Sequence, residues 1–137
     1  MIATTLMVAS AAILLALGTL HLVYTFVGDK LRPRDAALQV RMTQVAPGIA
    51  RSASMWGFWM GFNVSHSMAG MLFGLVYGYL ALVHPAVLFG SIYLRVVGFA
   101  MLGGLLATGL RYWFRAPVIG IALALACYVS SVVLAAV

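Results

Sequence analysis

The chain has 137 residues, of which 65% are hydrophobic and 7% are charged. Soluble domains carry about 25% charged residues, so this composition excludes an ordinary soluble domain and indicates an integral membrane protein. The net charge of +6 comes from basic residues that lie mostly in the gaps between apolar segments, which indicates membrane topology rather than a nucleic-acid partner.

The first apolar segment predicts a membrane-spanning helix over about residues 4–27. No Lys or Arg precedes it, and it is longer than the apolar part of a signal peptide, so we interpret it as a span. Gly18, His21 and Thr25 lie three and four residues apart and therefore share one face of this helix.

The first predicted loop, residues 28–54, holds most of the basic residues. Within it, Leu38, Met42 and Val45 make a narrow apolar stripe, which indicates either a short helix in the headgroup region or an ordinary solvated loop. Arg111 and Arg115 follow the third span, whereas the second loop contains no Lys or Arg. By the positive-inside rule, both basic loops are predicted to be cytoplasmic and both termini to be outside.

The second span, residues 55–83, contains no Asp, Glu, Lys or Arg. On a helical wheel its most unusual residues fall within an arc of about 120°: Trp56, Trp59, Asn63, His66, Ser67, Gly70, Gly74, Tyr77 and Gly78. Polar groups in a bilayer turn toward protein, and glycines allow another helix backbone to come close. We therefore predict that Gly70, Gly74 and Gly78 pack against a helix, while Leu72 and Leu75 face lipid.

The third and fourth spans are predicted over about residues 88–110 and 117–137. Gly104, with Ala100 and Thr108, forms a second row of small residues that is expected to pack against a helix. Arg95 is the one charge inside an apolar segment. It either extends to the outer surface, or it is buried and needs an anionic lipid, an anionic substrate or backbone carbonyls as its partner. Cys127 is interpreted as a small packing residue.

His21 and His66 are the strongest candidates for chemistry, because both can face the protein interior in the cytoplasmic half of the membrane. Two imidazoles on neighbouring helices can bind haem iron or a metal ion, or relay protons. Neither Asp lies within a span, so the pair is an incomplete metal site, and hydrogen bonding across the bundle is the favoured interpretation. A serine hydrolase is excluded because no acid is available to orient the imidazole.

Three motifs carry a family resemblance: Gly18-Thr-Leu-His21, the segment Met55-Trp-Gly-Phe-Trp-Met-Gly-Phe-Asn-Val-Ser-His66-Ser, and Arg111-Tyr-Trp-Phe followed by Pro117. Together they resemble a group of small four-span bacterial membrane proteins that has no assigned activity. The resemblance covers nearly the whole chain and implies the four-span fold. It implies no function.

These observations predict an all-α membrane protein with a single domain, 1–137, built as an antiparallel four-helix transmembrane bundle in the bacterial cytoplasmic membrane. The leading hypothesis is a non-catalytic accessory or assembly protein that binds a lipid or lipophilic ligand beside the second span. The residues expected to contact that ligand are His66, Asn63, Ser67, Trp59, His21 and Arg95. Membrane lipids and further protein subunits, its own copies or a larger complex, are the expected partners.

Two alternatives stay open. One is a redox or metal protein that uses His21 and His66 to hold haem or a metal ion, although no cofactor is predicted. The other is a membrane enzyme that acts on a lipid, with His66, Asn63 and Arg95 contacting its polar end.

Overall fold

The computed structural model describes residues 1–137, and its regular elements are all helices. They are α1 (Ile2–Phe26), α2 (Ala36–Gln44), α3 (Met55–Val83), α4 (Pro85–Gly90), α5 (Ile92–Tyr112) and α6 (Arg115–Ala136). Four of them, α1, α3, α5 and α6, are long and apolar enough to cross a membrane. The predicted all-helical class and multi-pass membrane character are confirmed, and the bundle arrangement with both termini outside stays a prediction.

The third membrane-length helix begins at Ile92, a few residues after the approximate start predicted at residue 88. The Ser91 side chain caps it by accepting a hydrogen bond from the Leu94 N–H. The residues before the cap form the separate helix α4, whose first position is Pro85. Proline is tolerated there because the N–H that it lacks would have no partner within the helix.

Of the two alternatives for the first loop, a short helix or an ordinary solvated loop, the short helix is present as α2. Asp35 caps it, accepting a hydrogen bond of 2.9 Å from the Ala37 N–H. None of its residues is buried, and the apolar side chains of Leu38 and Val40 are exposed. Leu38 belongs to the predicted apolar stripe, whereas Val40, two residues further along, lies on another side of the helix.

The chain divides into two compact units. Unit 1 comprises residues 1–17 and 70–137, and unit 2 comprises residues 18–69. Helices α1 and α3 each contribute residues to both units.

In unit 1, α1 and α3 approach each other at Gly74. A Cβ atom built on Gly74 would lie 2.6 Å from the Leu15 Cβ and 2.7 Å from the Ala11 carbonyl oxygen. Such distances leave no room for a side chain, so the glycine allows the two backbones to meet. A Cβ on Gly78 would make an ordinary contact of 3.5 Å with the Ala11 Cβ.

The buried face of α5 is not the one that contains Gly104. Gly104 is exposed, and an added Cβ there would meet nothing within 4 Å. The buried residues are Gly98, Leu102 and Gly109. A Cβ on Gly98 would lie 2.7 Å from the ring carbon Cζ of Tyr128 on α6. The packing role predicted for Gly104 therefore belongs, within this chain, to Gly98.

Two buried tyrosines hold the start of α5 in unit 1. The Tyr77 hydroxyl, from α3, donates to the Leu94 carbonyl at 2.7 Å, and the Tyr128 hydroxyl, from α6, donates to the Arg95 carbonyl at 2.8 Å. The two rings also contact each other, with centroids 6.0 Å apart. This tyrosine pair joins three helices and satisfies its own hydroxyls inside an apolar core.

Candidate functional site

The imidazole rings of His21 and His66 lie next to each other in unit 2. Their centroids are 5.2 Å apart, and the ring planes are inclined at 78°, an edge-to-face arrangement. His21 comes from α1 and His66 from α3, and both residues are partly exposed. We call His21, Asn63 and His66 the imidazole cluster.

Asn63 orients the His21 ring. Its amide Nδ2 donates to the carbonyl of Trp59 at 2.7 Å, so its Oδ1 is directed to the Nε2 of His21 at 3.0 Å. An amide oxygen only accepts hydrogen bonds, and therefore the Nε2 of His21 carries the proton in this contact. In a neutral imidazole the lone pair is then on Nδ1. Asn63 is 3% exposed and is the most buried residue of the cluster.

The hydroxyl groups beside the cluster are used by their own helices. Ser67 Oγ donates to the Asn63 carbonyl at 2.8 Å, and Thr25 Oγ1 donates to the His21 carbonyl at 2.8 Å. Such bonds satisfy a hydroxyl where no water is available. Ser67 therefore lies next to the cluster, but its hydroxyl donates to the backbone of its own helix, α3.

One aromatic side chain, Phe62, contacts the cluster, and a second, Trp59, lies one helical turn before Asn63. The Phe62 ring stacks on the His66 ring, with centroids 5.9 Å apart and planes within 9° of parallel. Trp59 is 39% exposed, and its indole N–H donates to the Leu31 carbonyl at 2.9 Å. Trp59 therefore joins the start of α3 to the first loop, one helical turn from Asn63.

Arg95, the remaining predicted ligand-binding residue, belongs to unit 1. It lines a groove between α5 and α6 together with Val96, Phe99, Tyr128 and Val129. Its Nε is buried and has no hydrogen-bond partner. Arg95 as a whole is partly exposed.

The predicted site residues are therefore divided. His21, Asn63 and His66 come together with Ser67 beside them, and Trp59 lies at their edge, while Arg95 lies in the groove of unit 1. Sequence reasoning missed Phe62, whose only signal is its position four residues before His66, and Tyr128, which lies in a helix with few other polar residues.

No family model, curated protein or solved structure matches the chain. The resemblance to small four-span bacterial membrane proteins stays a prediction that rests on the motifs of Gly18–His21, α3 and Arg111–Pro117.

Proposed function

We propose that the protein is a non-catalytic integral membrane protein whose imidazole cluster binds the polar end of a lipophilic ligand. The observation that carries this proposal is the pairing of two partly exposed imidazoles, one of them oriented by a buried amide. Because the His21 ring is oriented in this way, its second nitrogen has a fixed role as a hydrogen-bond acceptor. The low dielectric constant of the protein interior strengthens such a hydrogen bond. The proposed ligand group is a hydroxyl or carbonyl oxygen.

The side chains around the cluster favour binding over catalysis. Both carboxylates of the chain, Asp29 and Asp35, lie outside the four membrane-length helices. The hydroxyls of Ser65 and Ser67, the nearest nucleophiles in sequence, donate to the Phe62 and Asn63 carbonyls instead of an imidazole. Without an activated nucleophile or an acid–base pair, a binding role is the more economical proposal.

A metal ion is the second candidate occupant, and the ring spacing favours it. Two imidazoles on one tetrahedral metal ion have centroids about 5 Å apart, because each metal–nitrogen bond is about 2 Å. The observed centroid distance is 5.2 Å. Histidines that bind a metal through one ring nitrogen usually donate a hydrogen bond from the other one, which orients the ring. The hydrogen bond from His21 Nε2 to Asn63 resembles that second contact. Axial ligands on opposite sides of a haem iron would lie about 6 Å apart, so haem fits this arrangement less well.

The test is native mass spectrometry of protein purified in mild detergent, with the absorption spectrum and metal content measured on the same sample. We expect a lipophilic species on the wild type that is retained in part by His66→Gln and lost in His66→Leu. His84→Leu, which removes an exposed histidine of unit 1, is the matched control and should retain the species. An equimolar metal that both His66 variants lose would favour the second candidate. Equal occupancy in all variants, or none in the wild type, would contradict the ligand site.

We further propose that both basic loops face the cytoplasm of a bacterial cell. The support is the one-sided charge: the loop around α2 and the turn between α5 and α6 are basic, while the segment from His84 to Ser91 contains no Lys or Arg. With Cys127 replaced by serine, cysteines introduced at Asp35 and at His84 should be labelled from opposite sides of the membrane. Labelling of position 35 from outside intact cells would reverse the proposed orientation.

The protein is also proposed to associate with itself or with a larger membrane complex. Gly103 and Gly104 have nothing within 4 Å of an added Cβ, so this part of α5 is open to a helix backbone from another chain. Native mass spectra should show a multimer of the wild type that Gly104→Leu reduces to a monomer. A monomeric wild type that carries no other subunit would contradict this proposal.

A further inference from the structure

The groove between α5 and α6 in unit 1 combines an apolar wall with one cation. Its volume is about 370 Å³, and it is lined by Arg95, Val96 and Phe99 from α5 and by Tyr128, Val129 and Val132 from α6. Tyr128 closes it on the inner side, because its ring packs on Gly98 and its hydroxyl donates to the Arg95 carbonyl at 2.8 Å. The Arg95 guanidinium is thus the charged group of an otherwise apolar groove.

This charge lacks a counter-ion in unit 1, which contains no Asp or Glu. The Nε of Arg95 is buried without a hydrogen-bond partner, and the Tyr128 hydroxyl is already engaged. Arginine does not lose its proton in proteins, so the charge cannot be avoided by deprotonation. An ionised group at the edge of hydrocarbon is costly unless an anion meets it.

The position of Arg95 along α5 suits a ligand with a charged head and an apolar tail. Arg95 is the fourth residue of the helix, so its Cα lies about 5 Å from the helix start. On α5 the groove continues for one further helical turn, to Phe99. On α6 it is lined by Val129, whose Cα lies about 10 Å along the helix axis before the last residue of α6. The cation therefore lies near headgroup level, and the apolar wall extends toward the hydrocarbon.

We propose that this groove binds an anionic phospholipid, with the phosphate held by the Arg95 guanidinium and an acyl chain along Val96, Phe99 and Val129. Guanidinium groups bind phosphate through two parallel charge-assisted hydrogen bonds, which would come here from the two terminal nitrogens of Arg95, since its Nε is buried. A second copy of the chain suits the groove less well. Its side-chain carboxylates, Asp29 and Asp35, lie outside the helices that are long enough to span a membrane. No residue of the imidazole cluster takes part in this proposal.

The experiment is native mass spectrometry of the protein released from bilayers of equal phosphatidylglycerol and phosphatidylcholine with matched acyl chains. The wild type should retain phosphatidylglycerol over phosphatidylcholine by about fivefold, the preference that one basic residue confers at an anionic surface. Arg95→Gln should lower the ratio by about that factor, and Arg95→Lys should keep part of the difference. Arg111→Gln removes the same charge from an exposed position at the end of α5, outside the groove, and should lower the ratio clearly less than Arg95→Gln does.

Val129→Trp provides a second variant that keeps the charge and fills the groove. It should lower the amount of retained phosphatidylglycerol although Arg95 is still present, and its helical circular dichroism should match that of the wild type. Equal retention of the two lipids by the wild type would overturn the proposal. An equal loss of preference in Arg95→Gln and Arg111→Gln would also overturn it. The same holds if Arg95→Gln removes a co-purifying polypeptide or a second copy of the chain instead of the lipid.

Discussion

The tyrosine pair of unit 1 and the imidazole cluster of unit 2 use polar groups in opposite ways. Tyr77 and Tyr128 are buried, and their hydroxyls donate to backbone carbonyls of α5. His21 and His66 stay partly exposed, and Asn63 is the only residue of the cluster that is buried. The first arrangement uses its hydroxyls to hold helices together, while the second keeps polar rings accessible. Variants in the two regions should therefore change different properties, stability in unit 1 and ligand retention in unit 2.

The largest expected loss of stability comes from Gly74→Ala in unit 1. The new methyl group would meet the Ala11 carbonyl oxygen at 2.7 Å and the Leu15 Cβ at 2.6 Å, so α1 and α3 must separate. We expect the free energy of unfolding in mixed micelles to fall by about 2 kcal/mol. Gly61→Ala on the same helix is the control, because nothing lies within 4 Å of its added Cβ. Alanine favours the helical conformation over glycine, so Gly61→Ala should be neutral or slightly stabilising, and an equal loss in both variants would contradict the close-packing explanation.

Tyr128→Phe should have the next largest effect. The variant keeps the ring over Gly98 and removes only the hydrogen bond to the Arg95 carbonyl. A loss of about 1 kcal/mol in the free energy of unfolding is expected for an interhelical hydrogen bond in a membrane. Retention of the ligand proposed for unit 2 should not change. A strong loss of that ligand with normal stability would remove the contrast between the two regions.

Asn63→Leu should show the reverse pattern. It removes the group that accepts from His21 Nε2, so the imidazole loses its fixed orientation. Native mass spectrometry should show loss of the ligand or metal that occupies the wild type, with a fall of only about 0.6 kcal/mol in the free energy of unfolding. Full occupancy in this variant would mean that the amide does not orient the ring for binding.

The smallest effect is expected for Ser10→Ala in unit 1. Ser10 Oγ is buried without a hydrogen-bond partner, so its removal should leave the free energy of unfolding unchanged or slightly raised. Ser131→Ala is the matched comparison, because Ser131 Oγ donates to the Ala3 carbonyl at 2.6 Å and joins α6 to α1. The second variant should lose about 0.6 kcal/mol. Equal unfolding curves for the two variants would contradict this difference.

The faces of α3 were predictable because a helix with several polar residues and glycines has an unambiguous arc. Asn63, Ser67 and Gly74 are buried, and Leu72, on the opposite side, is 62% exposed. The same reasoning did not identify the contact of α5 within this chain, where Gly98 rather than Gly104 meets another helix. Lipid tails are as apolar as leucine, so hydrophobicity does not distinguish the protein-facing side of an entirely apolar helix from its lipid-facing side.

Length and hydropathy were enough to define four membrane-length helices and the bounds of α3, because a bilayer sets the length of an apolar helix. Helical spacing was enough to place Asn63 and His66 on one arc. The contact between the His21 and His66 rings, and the groove around Arg95, depend on how separate helices pack. Only the tertiary structure determines that packing, because contacts between residues distant in the chain depend on how their side chains fit together. Such fit produces no periodic pattern in the sequence from which it could be predicted.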